Sequence, residues 1–389
     1  MKIIFISHSY YPILGGIENQ NRDLAEGLSQ LTKVKIIPNR KGKYWLPIFI
    51  PWTFFKTFFL LMRYDAVLLG SGVLAPLGRI LKFFHPRKKF FCVIHGLDIT
   101  YAQKKGILPC FYRWINLPAL RKMDRLFAVG NATLAEAKKA GLTKDNPRRC
   151  VFIPNGVNVH SFIEKHTRKE LTQLLGKNTE DRIVILRLAR FVPHKGTSWF
   201  IRKVVPHLAP NVIFVATGHR VDKNTAGDQD DFLNCEQAVL EKNLSDRVVL
   251  LPSLPQKDLL VLLNTVDIMV SPNIKVPGSM EGFGINAIEA GACGRVLLAS
   301  DLEGLADAVK NGENGILVEP ENAEQWIRKI QAVIEAREEF RQRFGKRAQK
   351  YVQRHFSWTN ICHRYLEEMR KVGRNEKKSS KDNKKGNNS

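Results

Sequence analysis

The chain has 389 residues, 44% of them hydrophobic, with 27 Gly and 18 Pro, enough apolar content for two or three full-sized domains and incompatible with a collagen-like or wholly disordered chain. Lys and Arg number 61 against 37 Asp and Glu, a formal net charge of +24. Residues 1–160 carry 25 basic and 8 acidic side chains (+17), residues 161–370 carry 29 and 27 (+2), and residues 371–389 carry 7 and 2 (+5). The basic first half attracts polyanions, whether nucleic acid, an anionic membrane leaflet or phosphorylated substrates, and it also serves plain solubility. Six cysteines without a C-x-x-C pair, and a start that runs straight into KIIFI, fit a reducing cytoplasm and no signal peptide.

In chain order, short apolar runs alternate with helical patterns. Lys2–Ile6, Lys33–Pro38, Ala66–Gly70 and Phe90–His95 read as strands, with helices at Gly16–Leu31, Trp52–Met62 and Leu74–Phe84 between them. This is the βαβ rhythm of a mostly parallel sheet covered on both faces. The stretch Trp45–Met62 (WLPIFIPWTFFKTFFLLM) holds one charge, Lys56, but Pro47 and Pro51 leave only Trp52–Met62 uninterrupted, too short for the ~20 residues of a membrane span. It reads as a helix covering a sheet, with an aromatic, basic-flanked segment lying in a lipid interface as the alternative.

Leu126–Val129 and Val151–Ile153 complete the first set of strands, a helix runs Ala132–Ala140, and IPNGVN leads into a polar passage, His160–Thr179, where the domain boundary is expected. A second set follows at Ile183–Leu188, Val212–Thr217, Val248–Leu251, Ile268–Ser271, Val296–Ala299 and Gly315–Val318. Helices at Glu324–Ala336, Arg343–Gln353 and Thr359–Val372 close the chain before a polar tail expected to be disordered. The expected division is 1–165, 166–354, a helix over 355–372 and a basic tail over 373–389.

Ligands of open parallel sheets bind beyond the carboxyl ends of strands, where loops meet helix N-termini. Gly15-Gly16 opens a helix after the first strand, a weak anion signal without a G-x-G-x-x-G pattern. LRLARFVPHKG places Arg190 and Lys195 in one loop after a strand, and two such cations suit a diphosphate. In EGFGINAIEAGACG, Glu281 and Glu289 stand eight apart. A helix starting near Gly284 turns its amides toward phosphate, and Glu289, one to two turns in, reaches a ribose diol.

HGLD (His95–Asp98), IPNGVN, the Arg190/Lys195 loop and the Glu281/Glu289 pair, in this order over residues 1–371, resemble the retaining glycosyltransferases of family 4. The resemblance implies the GT-B fold: α/β, two Rossmann-like doubly wound domains facing a central cleft, acceptor in the first and nucleotide sugar in the second, with a final helix crossing back. It implies a hexosyltransferase, and the basic first half with the Trp45–Met62 segment points its action to lipid-linked glycan or cell-envelope polysaccharide synthesis. Arg190 and Lys195 would neutralise the donor diphosphate, Glu281 would hold hydroxyls of the donor sugar, Glu289 the ribose, and His95 would touch the transferred sugar. Gly15, Gly16, Gly218, Gly282, Phe283, Gly284 and Ile285 would line the donor, and Asp98 and Asn131 would face the acceptor. No metal and no cofactor is implied, the nucleotide-diphospho-sugar being a substrate. The partners expected are that donor, a glycan or lipid-linked acceptor and an anionic membrane surface, with no nucleic acid, in the cytoplasm or peripheral on the inner membrane face. The chain departs from the family pattern at Arg187, Ala189, Asn158 and Gly130-Asn131. A non-hydrolysing sugar-nucleotide epimerase and a basic nucleic-acid-binding protein are the rival readings.

Overall fold

The computed structural model describes the backbone of residues 1–13, 16–221, 229–336 and 338–385, and their side chains through Val372 except Leu97. The chain divides into two compact units, Met1–Gly156 with Trp358–Ser389, and Val157–Ser357. The exchange points therefore fall at 156/157 and 357/358, against the 165/166 and 354/355 of the sequence reading. Local bonding fixes them: the Val157 amide donates to the Phe356 carbonyl at 2.7 Å and Val157 bridges to Ser357, while Gly156 lies so close to the Trp358 ring that a Cβ would sit 2.6 Å from it.

The first unit holds a six-stranded parallel sheet of β1 (Ile3–Ser7), β2 (Val34–Pro38), β3 (Ala66–Leu69), β4 (Lys89–Ile94), β5 (Arg125–Ala128) and β6 (Cys150–Phe152), in the order β2-β1-β3-β4-β5-β6. Its inner strands β1, β3, β4 and β5 are buried on both faces, as parallel sheets require, and the edge strands β2 and β6 less so. The connecting helices are α1 (Gly16–Leu31), α2 (Leu46–Leu60), α3 (Ala75–Phe84), α4 (Gly96–Thr100), α5 (Ile107–Arg121) and α6 (Asn131–Lys139). Strand order reverses after β2, so right-handed crossovers put α1 on one face and α2, α3 and α5 side by side on the other.

The second unit opens with α7 (Arg168–Leu175), held by a Thr167/Glu170 capping box inside what the sequence shows only as a polar passage. Then come β7 (Ile183–Leu188), α8 (Thr197–Lys203), β8 (Val212–Thr217), α9 (Phe232–Glu241), β9 (Val248–Leu251), α10 (Gln256–Thr265), β10 (Ile268–Ser271), α11 (Ile285–Ala292), β11 (Val296–Ser300), α12 (Glu303–Ala308), β12 (Ile316–Val318), α13 (Ala323–Glu335) and α14 (Glu338–Phe356). The sheet order is β12-β11-β10-β7-β8-β9, again all parallel, over a core that includes Phe200, Phe214 and Trp326.

The last helix, α15 (Trp358–Lys385), packs on α1 within the first unit, and the Cys362 sulfur fills the space left by Gly27. It continues past residue 372, where the sequence reading has a disordered tail begin. A docked helix needs no new nucleus to extend into this segment, which carries five lysines over 373–385 and no proline.

Trp45–Met62 needs the larger correction. Pro51 does not break it: α2 starts at Leu46 with Pro47 in its first turn, and Pro51, on the exposed side, removes a single helical bond. Nor is the segment simply core. Phe49, Thr53 and Thr57 are buried while Trp52, Phe55 and Phe59 are exposed.

Candidate functional site

In the second unit the loops after β7, β8 and β10 converge. Gly218, at φ 153°, ends β8 so close to the Ala189–Arg190 backbone that a Cβ would lie 1.9 Å from the Ala189 carbonyl oxygen. Gly196, at φ 68°, meets the Pro272 carbonyl in the same way. These two approaches hold the Ala189–Gly196 loop against its neighbours with no room for side chains. The loop thereby carries Lys195 inward, where its ammonium is ion-paired with the Glu281 carboxylate and both are largely buried. Asn273 Nδ2 donates to the same carboxylate oxygen at 2.9 Å.

Beneath this pair lies a residue that the sequence marks only as odd for a strand. Arg187, on β7 and fully buried, donates to Ser271 Oγ at 3.2 Å, to Asn273 Oδ1 at 2.9 Å and to the Lys195 carbonyl at 2.9 Å. Burial pulls its pKa down to about 10, against the pull of Glu281. Burial also lowers the Lys195 pKa, Glu281 opposing and Arg187 and Arg190 adding to it. Burial pushes Glu281 the other way, yet Lys195, His194 and the Asn273 amide more than reverse that and hold its carboxyl below the usual value. Arg190 itself is exposed, close enough to act on Lys195. Three cations thus surround one buried carboxylate, an excess of positive charge suited to an anion.

The Glu281–Gly284 turn is clasped from one side. The Glu281 amide donates to Glu303 Oε2 at 2.7 Å, the Gly304 amide to the Glu281 carbonyl at 3.1 Å, and the Gly284 amide to the Gly304 carbonyl at 3.1 Å. Gly304 leaves no space for a Cβ against Gly282 and Phe283. Burial, aided by the Glu281 charge, raises the Glu303 pKa. Phe283 is buried against Phe356, α11 begins at Ile285 behind Gly284, and Glu289 is the fifth residue of that helix, half-buried. Asn286 ties α11 to β7 and β10 through Leu188 O at 3.1 Å and Ser271 Oγ at 2.9 Å.

In the first unit, His95 ends β4, buried, with its ring Nε2 3.2 Å from the Gly70 carbonyl. Asp98 does what a third-position helical acid does: it accepts the His95 amide at 2.8 Å, and also Gly72 N at 3.0 Å and Ser71 Oγ at 3.2 Å. Its carboxylate therefore fixes His95 and the Ser71–Gly72 turn. His8, after β1, is a neighbour that motif reading passes over. Burial lowers its pKa, the Asp98 charge opposing and His95 reinforcing, and its Nδ1 is buried without a partner among the described residues. Gly16 begins α1 and Asn131 begins α6, both exposed, whereas Gly15 lies outside the described residues.

Two parallel α/β units, with charged loops at the carboxyl ends of the strands of the second, form the GT-B fold. The Anabaena protein HepE in complex with UDP superposes with a TM-score of 0.72 at 20% identity, over 94% of this chain and 99% of that one. Sucrose-phosphate synthase of Thermosynechococcus elongatus gives 0.73 at 19%, over 96% and 99%. In sequence, residues 168–351 match the family described as glycosyl transferases group 1. The chain is also 29% identical over 252 residues to the N,N'-diacetylbacillosaminyl-diphospho-undecaprenol alpha-1,3-N-acetylgalactosaminyltransferase of Campylobacter jejuni, a match spanning 63% of this chain and 61% of that enzyme.

Proposed function

We propose that the chain is a retaining glycosyltransferase of family 4 that moves a hexosyl group from a nucleotide-diphospho-sugar to a glycan or lipid-linked acceptor. The observation that carries this reading is the excess of cations over Glu281, with Arg187 and Lys195 buried and Arg190 exposed beside Lys195, in the segment that matches group 1 glycosyl transferases and that also holds α11. The diphosphate draws Lys195 away from Glu281. Lys195 and Arg190 then neutralise the charge that grows on the departing nucleotide, which is electrostatic catalysis, and the released Glu281 accepts from hydroxyls of the donor sugar. Glu289 accepts from the ribose, the amides of Phe283, Gly284 and Ile285 serve phosphate or sugar oxygens, and Gly15, Gly16 and Gly218 let backbone approach the donor. His95 contacts the transferred sugar, while Asp98 and Asn131 stand on the acceptor side. The paired cations replace a divalent metal in this scheme. The relative that works on an undecaprenol diphosphate, together with the basic first half, supports an acceptor presented at the inner face of an anionic membrane.

The test is calorimetric binding and slow hydrolysis over a panel of UDP- and GDP-sugars. At least one binds and turns over with release of nucleotide; folded protein that binds none of them overturns the proposal.

A further inference from the structure

The outer surface of the first unit is unusual for a soluble domain. Along α2, α3 and α5, which pack side by side on one face of the sheet, large apolar side chains stand in solvent: Trp52 and Phe59 on α2, Phe83 on α3 at 80% exposure, and Ile107, Phe111 and Trp114 on α5, with Ile107 at 89% and Trp114 at 77%. In α2 part of the usual pattern is turned outward, because Thr53 and Thr57 are buried with hydroxyls unpartnered among the described residues while Phe55 and Phe59 face out. Contiguous apolar surface on this scale marks an interaction site. Cations ride on the aromatics, Lys41 over Trp45 at 4.1 Å and Lys56 over Trp52 at 4.2 Å.

Two pockets meet at the C-terminal end of α5, one along that helix and one at the amino ends of β5 and β6. One, of 840 Å³, runs along α5 and is lined by Ile107, Phe111, Trp114 and Leu117 among others. The second, of 680 Å³, shares Pro118 and Arg121 with it and is lined by six cationic side chains against two acidic ones. Several of those cations have work inside the unit: Lys82 pairs with Asp124 at 2.8 Å, Arg125 with Glu368, and Arg149 donates to the Leu142 carbonyl at 3.0 Å. Lys122 and Arg148 have no side-chain partner among the described residues, and both are exposed. An apolar groove that opens into a pocket with unpaired cations matches a molecule with a hydrocarbon chain and an anionic head.

We propose that the outer face of α2, α3 and α5 seats this unit on an anionic phospholipid bilayer, with the hydrocarbon of one phospholipid along α5 and its phosphate between Lys122 and Arg148. The inference rests on the membrane partner named in the proposed function and on none of its chemistry. Charge decides the occupant. A second copy would bring another basic surface, +17 over residues 1–160, against this one, whereas an anionic leaflet attracts it, and tryptophans with overlying cations suit the headgroup region. None of the residues lining the two pockets is one that the proposed function places on donor or acceptor, so the lipid serves as an anchor.

The experiment is co-sedimentation of the full chain with phosphatidylglycerol–phosphatidylcholine vesicles and with pure phosphatidylcholine, using the exposed pairs Phe111→Ser/Trp114→Ser and Lys122→Glu/Arg148→Glu. Wild type partitions onto the anionic vesicles. The aromatic pair weakens this about tenfold or more, and the charge-reversed pair abolishes the preference for anionic lipid while leaving the melting temperature unchanged. Lipids brominated on the acyl chain quench tryptophan emission in wild type and quench it less in Trp114→Phe. Free glycerol phosphate does not displace the vesicles. Equal binding to neutral and anionic vesicles, wild-type binding by both variant pairs, displacement by glycerol phosphate, or a dimer that the aromatic pair dissolves would each overturn the proposal. Donor binding, read in solution on the same samples, separates the two readings: lost lipid capture with donor bound refutes the seat alone, and absent donor binding with lipid capture intact refutes the catalytic reading alone.

Discussion

Lys195 and Glu281 hold each other in a place where neither is tolerated alone. Lys195→Met leaves a buried carboxylate without its counter-charge, at an expected cost of about 3 kcal/mol in stability, and under the proposed function it removes a donor contact as well. Glu281→Gln in the same chain recovers most of the stability and none of the transfer activity, which chemical denaturation and a nucleotide-release assay on the double variant read separately. A pH series gives an independent check. The Glu281 carboxyl is held below its ordinary value in the folded state, so its contribution is complete above the ordinary carboxyl range and is lost as pH falls through the folded value. Glu281→Gln therefore flattens the acid limb of the melting curve and leaves the neutral region little changed in slope. Arg187 is the third residue of this argument. Arg187→Met strands Asn273, Ser271 and a backbone carbonyl without their buried donor, for a loss of about 2–3 kcal/mol, and Arg187→Lys does not rescue it because a single ammonium cannot span three acceptors in the plane of the guanidinium fork. Donor KM rises in both variants, since Lys195 loses the bond that anchors its carbonyl.

Among the elements, strands were readable because parallel strands buried on both faces are continuous apolar runs, as Ile3–Ser7 and Val212–Thr217 show. Helices with apolar residues on both sides were not: α5 carries Pro109 and Pro118 and sets Phe111 and Trp114 outward, so its periodicity points to no single core face. The charged motifs were legible because R-x4-K and E-x7-E are local spacings. Arg187, Asn273 and Glu303 were not, since they meet only after β7, β10 and the start of α12 are brought together. Gly218 lies between these cases, a position whose need for glycine shows only when β8 stands beside β7. Gly218→Ala drives a Cβ into the Ala189 carbonyl and shifts the loop that bears Arg190 and Lys195. The expected outcome is a folded protein with donor affinity about tenfold lower or worse, about 1.4 kcal/mol of binding, against an unchanged donor affinity at Gly176→Ala, where no atom lies within 4 Å.

For the whole molecule, the distribution of charge assigns different labours to the two halves of the sequence: +17 in the first 160 residues is spread over surface, whereas the near balance of residues 161–370 conceals a local excess buried around Lys195. A surface field is screened by salt within about 10 Å at 0.1 M, but a buried cation pocket is screened far less. Donor binding should thus fall only modestly between low and moderate salt, while vesicle binding should fall steeply. A donor that binds the folded state as proposed adds about 2.7 kcal/mol at 100 times its Kd, seen as a raised melting temperature and as slowed amide exchange in Ala189–Gly196 and Glu281–Gly284. If Arg190 and Lys195 neutralise the diphosphate unaided, the same rise persists in excess EDTA. A rise that EDTA abolishes would mean that a divalent ion carries the phosphate charge, and the cation excess around Glu281 would then need another anion to explain it.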